Sequence, residues 1–227
     1  MNDDRWALEN FSGTARLFPL PNLVVFPHVV QPLHVFEPRY RELTADALAG
    51  DNLVAMALLQ ANRKPDDDPP PIHPIVCLGR IIANQVLDDG RYLLLLRGLS
   101  RARVVDELPA TRPYRMAHLE LIPDVLSLAL PETQRIRRRL CDLIMPRFSG
   151  SEGDKQRLLE LFDGELPLGP LLDCLCFQLP LMLERKQEML EEPDIGARAR
   201  ALVTALNSLL TEGPTTPRKF PPEFSAN

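Results

Sequence analysis

The chain has 227 residues, 45% of them hydrophobic and 25% charged, and a formal net charge of -5. That length supports one large or two small domains with cores of their own, and the composition excludes a disordered chain, which needs low hydrophobicity and high charge. Lys and Arg number 13 against 15 Asp and Glu up to Pro123, and 13 against 16 after it; neither half is the polycation that phosphate-driven nucleic-acid binding requires.

The opening residues Met1-Asn2-Asp3-Asp4-Arg5 lack the basic-then-apolar order of a secretory signal, and residues 1–14 read as a flexible leader. Residues 15–38, ARLFPLPNLVVFPHVVQPLHVFEP, carry apolar runs broken every few positions by proline, which has no amide to give a central ladder; they predict short, edge-like strands and turns. Pro38 sits at a first helical position, Tyr40, Leu43, Ala47 and Leu48 follow at helical spacing, and Gly50 ends the run. Residues 53–60, LVAMALLQ, make a short apolar run that predicts a buried strand. In residues 61–74, five prolines and Asp66-Asp67-Asp68 leave little to bury and predict a mobile surface loop.

Two apolar runs, 75–87 and 92–96, flank Asp88-Asp89-Gly90-Arg91, and an Asp-Gly pair in that setting predicts a β-hairpin. Gly98-Leu99-Ser100 predicts a break before a strand at 101–105, and 114–122 alternates as a further strand. From Pro131 the period becomes helical. Ile136, Leu140, Leu143 and Ile144 share one face; Leu158, Leu159 and Phe162 share a second; Leu171, Leu172, Leu175 and Leu179 share a third. A helix is expected over 181–190, and a last one from near Asp194 carries Leu202, Ala205, Leu206 and Leu209. The expected fold class is α+β: a mostly antiparallel β domain over 15–123 with one helix, an α-helical bundle over 124–212, and a disordered, proline-rich tail over 213–227.

Three stretches in this order carry a family resemblance. Leu17-Phe18-Pro19-Leu20-Pro21-Asn22 with Val25-Phe26-Pro27 and Pro32-Leu33-His34-Val35-Phe36-Glu37-Pro38-Arg39-Tyr40 comes first, then Cys77-Leu78-Gly79-Arg80-Ile81, then Asp89-Gly90-Arg91-Tyr92 with Leu96-Arg97-Gly98-Leu99-Ser100-Arg101. Together they resemble the amino-terminal, substrate-binding domain of the Lon protease family, in the form of a free-standing single-domain bacterial member. The resemblance implies a PUA-like β barrel for the first half and a helical bundle after it. It also implies a module that holds unfolded or tagged protein segments, with an ATP-dependent protease as a partner.

Chemistry of the parent proteases is not expected from this chain. None of the 11 glycines precedes a lysine, so the phosphate-cradling loop is missing, and Lys64, Lys155, Lys186 and Lys219 fall in no segment like the family's peptidase region. His28, His34, His73 and His118 are scattered singly, and Cys77, Cys141, Cys174 and Cys176 form no CxxC pair; no metal or cofactor is expected. No run approaches the roughly 18 apolar residues that span a bilayer. A cytoplasmic protein without membrane contact is the expectation.

The peptide-binding candidates are Leu23, Val24, Val25 and Phe26, on a loop framed by Pro21 and Pro27, together with Phe36 and Tyr40. For Phe18, Phe26, Phe36 and Tyr40 a core role stays open beside ligand contact, since aromatic residues mostly report burial. The surface is expected along the proline-rich loops or at the junction of the two halves. RNA binding is the alternative, through Arg135, Arg137, Arg138 and Arg139 on one helix or through Arg97 and Arg101; the charge balance argues against it.

Overall fold

The structure is a computed structural model that describes residues 3–61, 69–148, 150–164 and 166–211. Most of the aspartate-rich loop, at 62–68, and the tail from 212, both expected to be mobile or disordered, lie outside the described residues. Contacts group the chain into two compact units that part between Pro123 and Asp124.

The first unit contains α1 (Asp3–Glu9), β1 (Thr14–Leu20), β2 (Val30–Val35), α2 (Pro38–Leu48), β3 (Leu53–Leu58), β4 (Ile75–Val86), β5 (Tyr92–Glu107) and β6 (Met116–Ile122). Its six strands form one sheet in the order β2-β5-β4-β3-β1-β6, and β6 pairs again with β5. Pairing therefore returns on itself through five strands, and β2 hangs outside that circuit on β5. Only β1 and β3 run parallel; the other ladders are antiparallel. Inside the circuit lie Ala15, Leu17, Ala55, Ala57, Val76, Leu78, Leu99, Ala102, Ala117 and Leu119. The many alanines fit a circuit of so few strands, whose interior is narrow.

Local chemistry accounts for most elements. In α2, Pro38 stands in the first turn, and Tyr40, Leu43, Thr44 and Ala47 are the buried stripe at the spacing of one helix face. The β4–β5 turn places Gly90 at φ 78, the left-handed region open to glycine, and the Leu87 amide closes it on the Arg91 carbonyl at 2.8 Å. Asp89 accepts the Arg91 amide at 3.1 Å, which holds its carboxyl below the ordinary value.

Three expectations need correction. The leader is not wholly flexible: α1 buries Ala7, rests Leu8 and Phe11 on the apolar cluster and pairs Asp4 with Arg97 at 2.9 Å. A seven-residue helix has too little intrinsic stability to announce itself in sequence. Next, β1 is not an edge strand. Pro19 is tolerated because β6 pairs only with Thr14, Ala15 and Arg16, so β1 has a partner on one side alone at Pro19. Finally, Gly98-Leu99-Ser100 does not break the chain. β5 runs through it by a register shift in which Leu78 faces Ser100 and Gly79 faces Gly98, a bulge that leaves Leu99 extra. Glycine is needed at 98 because a Cβ there would collide with the Phe26 carbonyl and lie 3.0 Å from Cys77 Sγ.

The second unit contains α3 (Leu130–Ile144), a 3-10 turn (Met145–Arg147), α4 (Glu152–Asp163), α5 (Leu168–Gln178), α6 (Leu183–Glu191) and α7 (Ile195–Thr211). α7 packs on α3, α5 and α6, burying Leu140, Leu171, Leu172, Leu190 and Leu202. Ser151 and Asp154 form a reciprocal cap on α4, satisfying two of its orphan amides. Arg198 is fully buried; it reaches Asp124 Oδ2 at 2.6 Å and Asp173 Oδ1 at 3.6 Å and donates to the Glu192 carbonyl at 2.7 Å. That guanidinium ties the first residue of the unit to α5 and α7.

Candidate functional site

A groove opens along β2, lined by Phe18 and Leu20 of β1, Leu23 of the following loop, Leu33 and His34 of β2, Phe36 and Glu37 of the link before α2 and Tyr40 of α2, with Gln31, Pro32 and Val35 completing its wall. Its floor is rigid. The Phe18 and Tyr40 rings stack at 4.0 Å and 15°, and the Tyr40 hydroxyl donates to the Pro19 carbonyl at 2.8 Å. Burial pushes the Tyr40 phenol up to about 12, with the Arg39 guanidinium opposing and the Glu37 carboxylate reinforcing the shift. Arg39 lies 4.5 Å over the Tyr40 ring and pairs with Glu37 at 2.8 Å, a charged rim beside an apolar trough.

One wall of the groove is the outer strand of the sheet, and its backbone is guarded. The Gly98 amide donates to Val29, and ladder alternation from that bond turns Gln31, Leu33 and Val35 toward β5, leaving Val30, Pro32 and His34 to point away. Pro32 has no N–H to offer there, and its carbonyl accepts Gln31 Nε2 at 2.5 Å. Proline at a free edge discourages strand addition. Side chains, not backbone, are what the groove presents. His34 sits 6.0 Å from Phe36, ring to ring, and its buried Nε2 has no hydrogen-bond partner among the described residues.

The six sequence candidates separate. Leu23, Phe36 and Tyr40 come together in the groove; Leu23 is half-buried, Phe36 is 43% exposed, and Tyr40 is 4% exposed in the floor. Val24, Val25 and Phe26, at 3%, 1% and 0% exposed, are interior residues and cannot touch a partner while the unit is folded. The prolines that frame their loop turn it inward, where the Phe26 carbonyl abuts Gly98. Leu20, Leu33 and His34 were not among the candidates. The signal available for Leu33 was strand alternation along 30–35, which means nothing until the partner strand is known.

Three of the six arginines offered for RNA are engaged, and Arg135, Arg138 and Arg139 are exposed. Arg101 is 2% exposed, and Arg97 is paired with Asp4. Arg137 donates to the Leu161 and Phe162 carbonyls at 3.3 and 3.1 Å, closing the last turn of α4, and burial lowers its pKa. No cysteine forms a disulfide. Among the described residues no three His, Cys, Asp or Glu side chains are placed to hold a metal ion, and no helix is long and apolar enough to cross a membrane.

A mixed sheet closed on itself, one attached strand and an apolar groove with a charged rim define an α+β unit. The family model of the ATP-dependent protease La (LON) substrate-binding domain matches residues 14–208, and the chain belongs to that family. It is 30% identical over 190 residues to a Lon protease of Dictyoglomus thermophilum, covering 80% of this chain and 23% of that protein. It is 26% identical to Lon protease 2 of Myxococcus xanthus, covering 88% and 24%. The chain thus spans about a quarter of the length of the curated relatives it matches. Among solved structures it is similar to the N terminal domain of Mycobacterium avium complex Lon protease, with a TM-score of 0.67, 15% identity and coverage of 86% of this chain and 98% of that one. A Lon N-terminal domain protein from Xanthomonas campestris matches with a TM-score of 0.60, 25% identity and coverage of 88% and 99%.

Proposed function

We propose that this chain is a non-catalytic protein-binding module that holds exposed apolar segments of unfolded or tagged client proteins in the groove along β2, and that it works with an ATP-dependent protease. The observation that carries the reading is the groove itself. Phe36 stays 43% exposed beside a stacked aromatic floor, in a chain whose family is named for substrate binding. An exposed aromatic beside a rigid apolar trough is the arrangement that captures a side chain from an extended segment, and the guarded edge of β2 favours side-chain capture over strand addition. The closed circuit of pairings supports reading the first unit as a PUA-like barrel. Packing of α3, α5 and α6 on α7 supports reading residues 124–212 as a helical bundle.

The test is fluorescence anisotropy with a labelled, permanently unfolded polypeptide rich in Leu and Phe. Leu23→Ser with Phe36→Ala is expected to weaken binding about tenfold or more, corresponding to ~1.4 kcal/mol, while the urea midpoint holds. Binding of the wild-type chain is expected to change little with salt, unlike phosphate-driven contact with RNA. Unchanged affinity in the double variant sinks the groove assignment.

A further inference from the structure

Arg80 and Arg97 face each other directly across the β4–β5 ladder, and like charges in that position repel unless an anion is shared between them. The anion here is α1. Asp4 lies 2.9 Å from Arg97 and 3.4 Å from Arg80, and Asp3 lies 3.4 Å from Arg80. One turn later, Ala7 enters the apolar cluster and Leu8 and Phe11 rest against it. Alternation along β4 sets Arg80 on the same side as Val76 and Leu78, both members of that cluster. The two guanidinium groups therefore stand at the end of the circuit's apolar interior, and α1 occupies that end with acids first and apolar side chains behind.

Three observations make α1 an exchangeable occupant. It has seven residues, too few to stay helical without a surface to lie on. Its ion pairs are partly solvated, with the Asp3 and Arg97 side chains 80% and 42% exposed, so salt screens them and each contributes little. The apolar surface beside the arginines also continues past it: Val30, opposite Arg97, is 41% exposed, and Leu95 and Leu93 are 38% and 42% exposed. A longer segment with the same pattern would cover more of this face than α1 does.

We propose that the Arg80–Arg97 pair and the apolar opening beside it form a docking site for an acidic, amphipathic helical segment of a partner protein, and that α1 occupies the site in cis until such a segment displaces it. Adjacent carboxylates followed four residues later by apolar side chains, as in Asp3, Asp4, Ala7 and Leu8, define the partner's chemistry. Neither the arginine pair nor α1 lines the groove along β2; Leu95 and Leu93 stand opposite its Pro32 and His34, and the variants used at the two sites share no residue.

The probe is a fluorescein-labelled synthetic peptide with the sequence of residues 3–12, titrated against the full chain by anisotropy. Weak binding to the wild-type chain is expected, about tenfold tighter binding to the Asp3→Asn/Asp4→Asn chain, and loss of at least about tenfold when Arg97→Gln is added. The same peptide with both aspartates replaced by asparagine should fail to bind. Urea midpoints establish that each variant folds, and the peptide-side substitution carries the charge test should the arginine variant not fold. Equal affinity for the wild-type and double-asparagine chains, or binding that survives loss of the peptide's carboxylates, overturns the proposal.

Discussion

Phe26 and Phe36 stand in similar company in the sequence, each beside branched apolar residues and one or two positions before a proline, yet one is wholly buried and the other 43% exposed. Phe26→Ala is expected to cost about 3–5 kcal/mol by opening a cavity in the core. Phe36→Ala should stay within about 0.5 kcal/mol of wild type, as surface changes do. Urea unfolding of the two variants separates the values; a large loss for Phe36→Ala would make it a core residue after all. Residue type and spacing alone could not sort the two, because burial on this loop is decided by the contact of the Phe26 carbonyl with Gly98, 72 positions later. Tyr40 offers a second check. Its folded pKa of about 12 exceeds the ordinary 10, so between those pH values the folded chain keeps a proton that the unfolded chain has lost. Stability from this group is complete below about pH 10 and falls as pH rises toward 12, by at most about 2 kcal/mol after allowance for solvent screening. The decline should be smaller in Tyr40→Phe when urea midpoints are followed over that range, with Tyr114, whose phenol is also raised by burial and the Asp46 hydrogen bond, accounting for what is left.

At the scale of elements, α2 and the β4–β5 turn were legible because their signals are local. Pro38, the Tyr40-to-Ala47 stripe and Asp89-Gly90 each act within about two turns of chain. β5 was not, since its continuity depends on a bulge shared with β4, and α1 was not, since its stability comes from β4 and β5. The bulge makes a sharp prediction. Gly98→Ala places a methyl against the Phe26 carbonyl and beside Cys77 Sγ, and the segment after Phe26 is tied to Gly98 by the Gly98–Val29 and His28–Gly98 hydrogen bonds. A loss of about 3 kcal/mol is expected from overpacking of this kind. The substitution should also disturb the edge strand most: amide exchange in β2 is expected to rise more than in β3, and equal effects on the two strands would mean that the bulge is not what fixes β2.

For the whole molecule, the hydrophobic period becomes helical from Pro131, while contacts divide the chain between Pro123 and Asp124. Each unit has its own means of closure. In the first, hydrogen bonding returns on itself through β5 and β6, so its ladders and apolar interior need nothing beyond Ile122; residues 1–123 expressed alone are expected to melt cooperatively. In the second, closure rests on Arg198, whose fully buried guanidinium is held by Asp124 and Asp173 and by the Glu192 carbonyl. Such a group was invisible in the sequence, where Arg198 is one of two arginines on α7. Asp124→Ala removes the partner at 2.6 Å and leaves Asp173 at 3.6 Å, so a buried cation keeps one distant anion where it had two. Breaking a buried pair in this way costs about 3–5 kcal/mol, and the lower figure applies because Asp173 remains. Hydrogen exchange should report the loss in α5 and α7, the helices that Arg198 joins, while β3 and β4 keep their protection; faster exchange in β3 and β4 would mean that the two units share one cooperative transition.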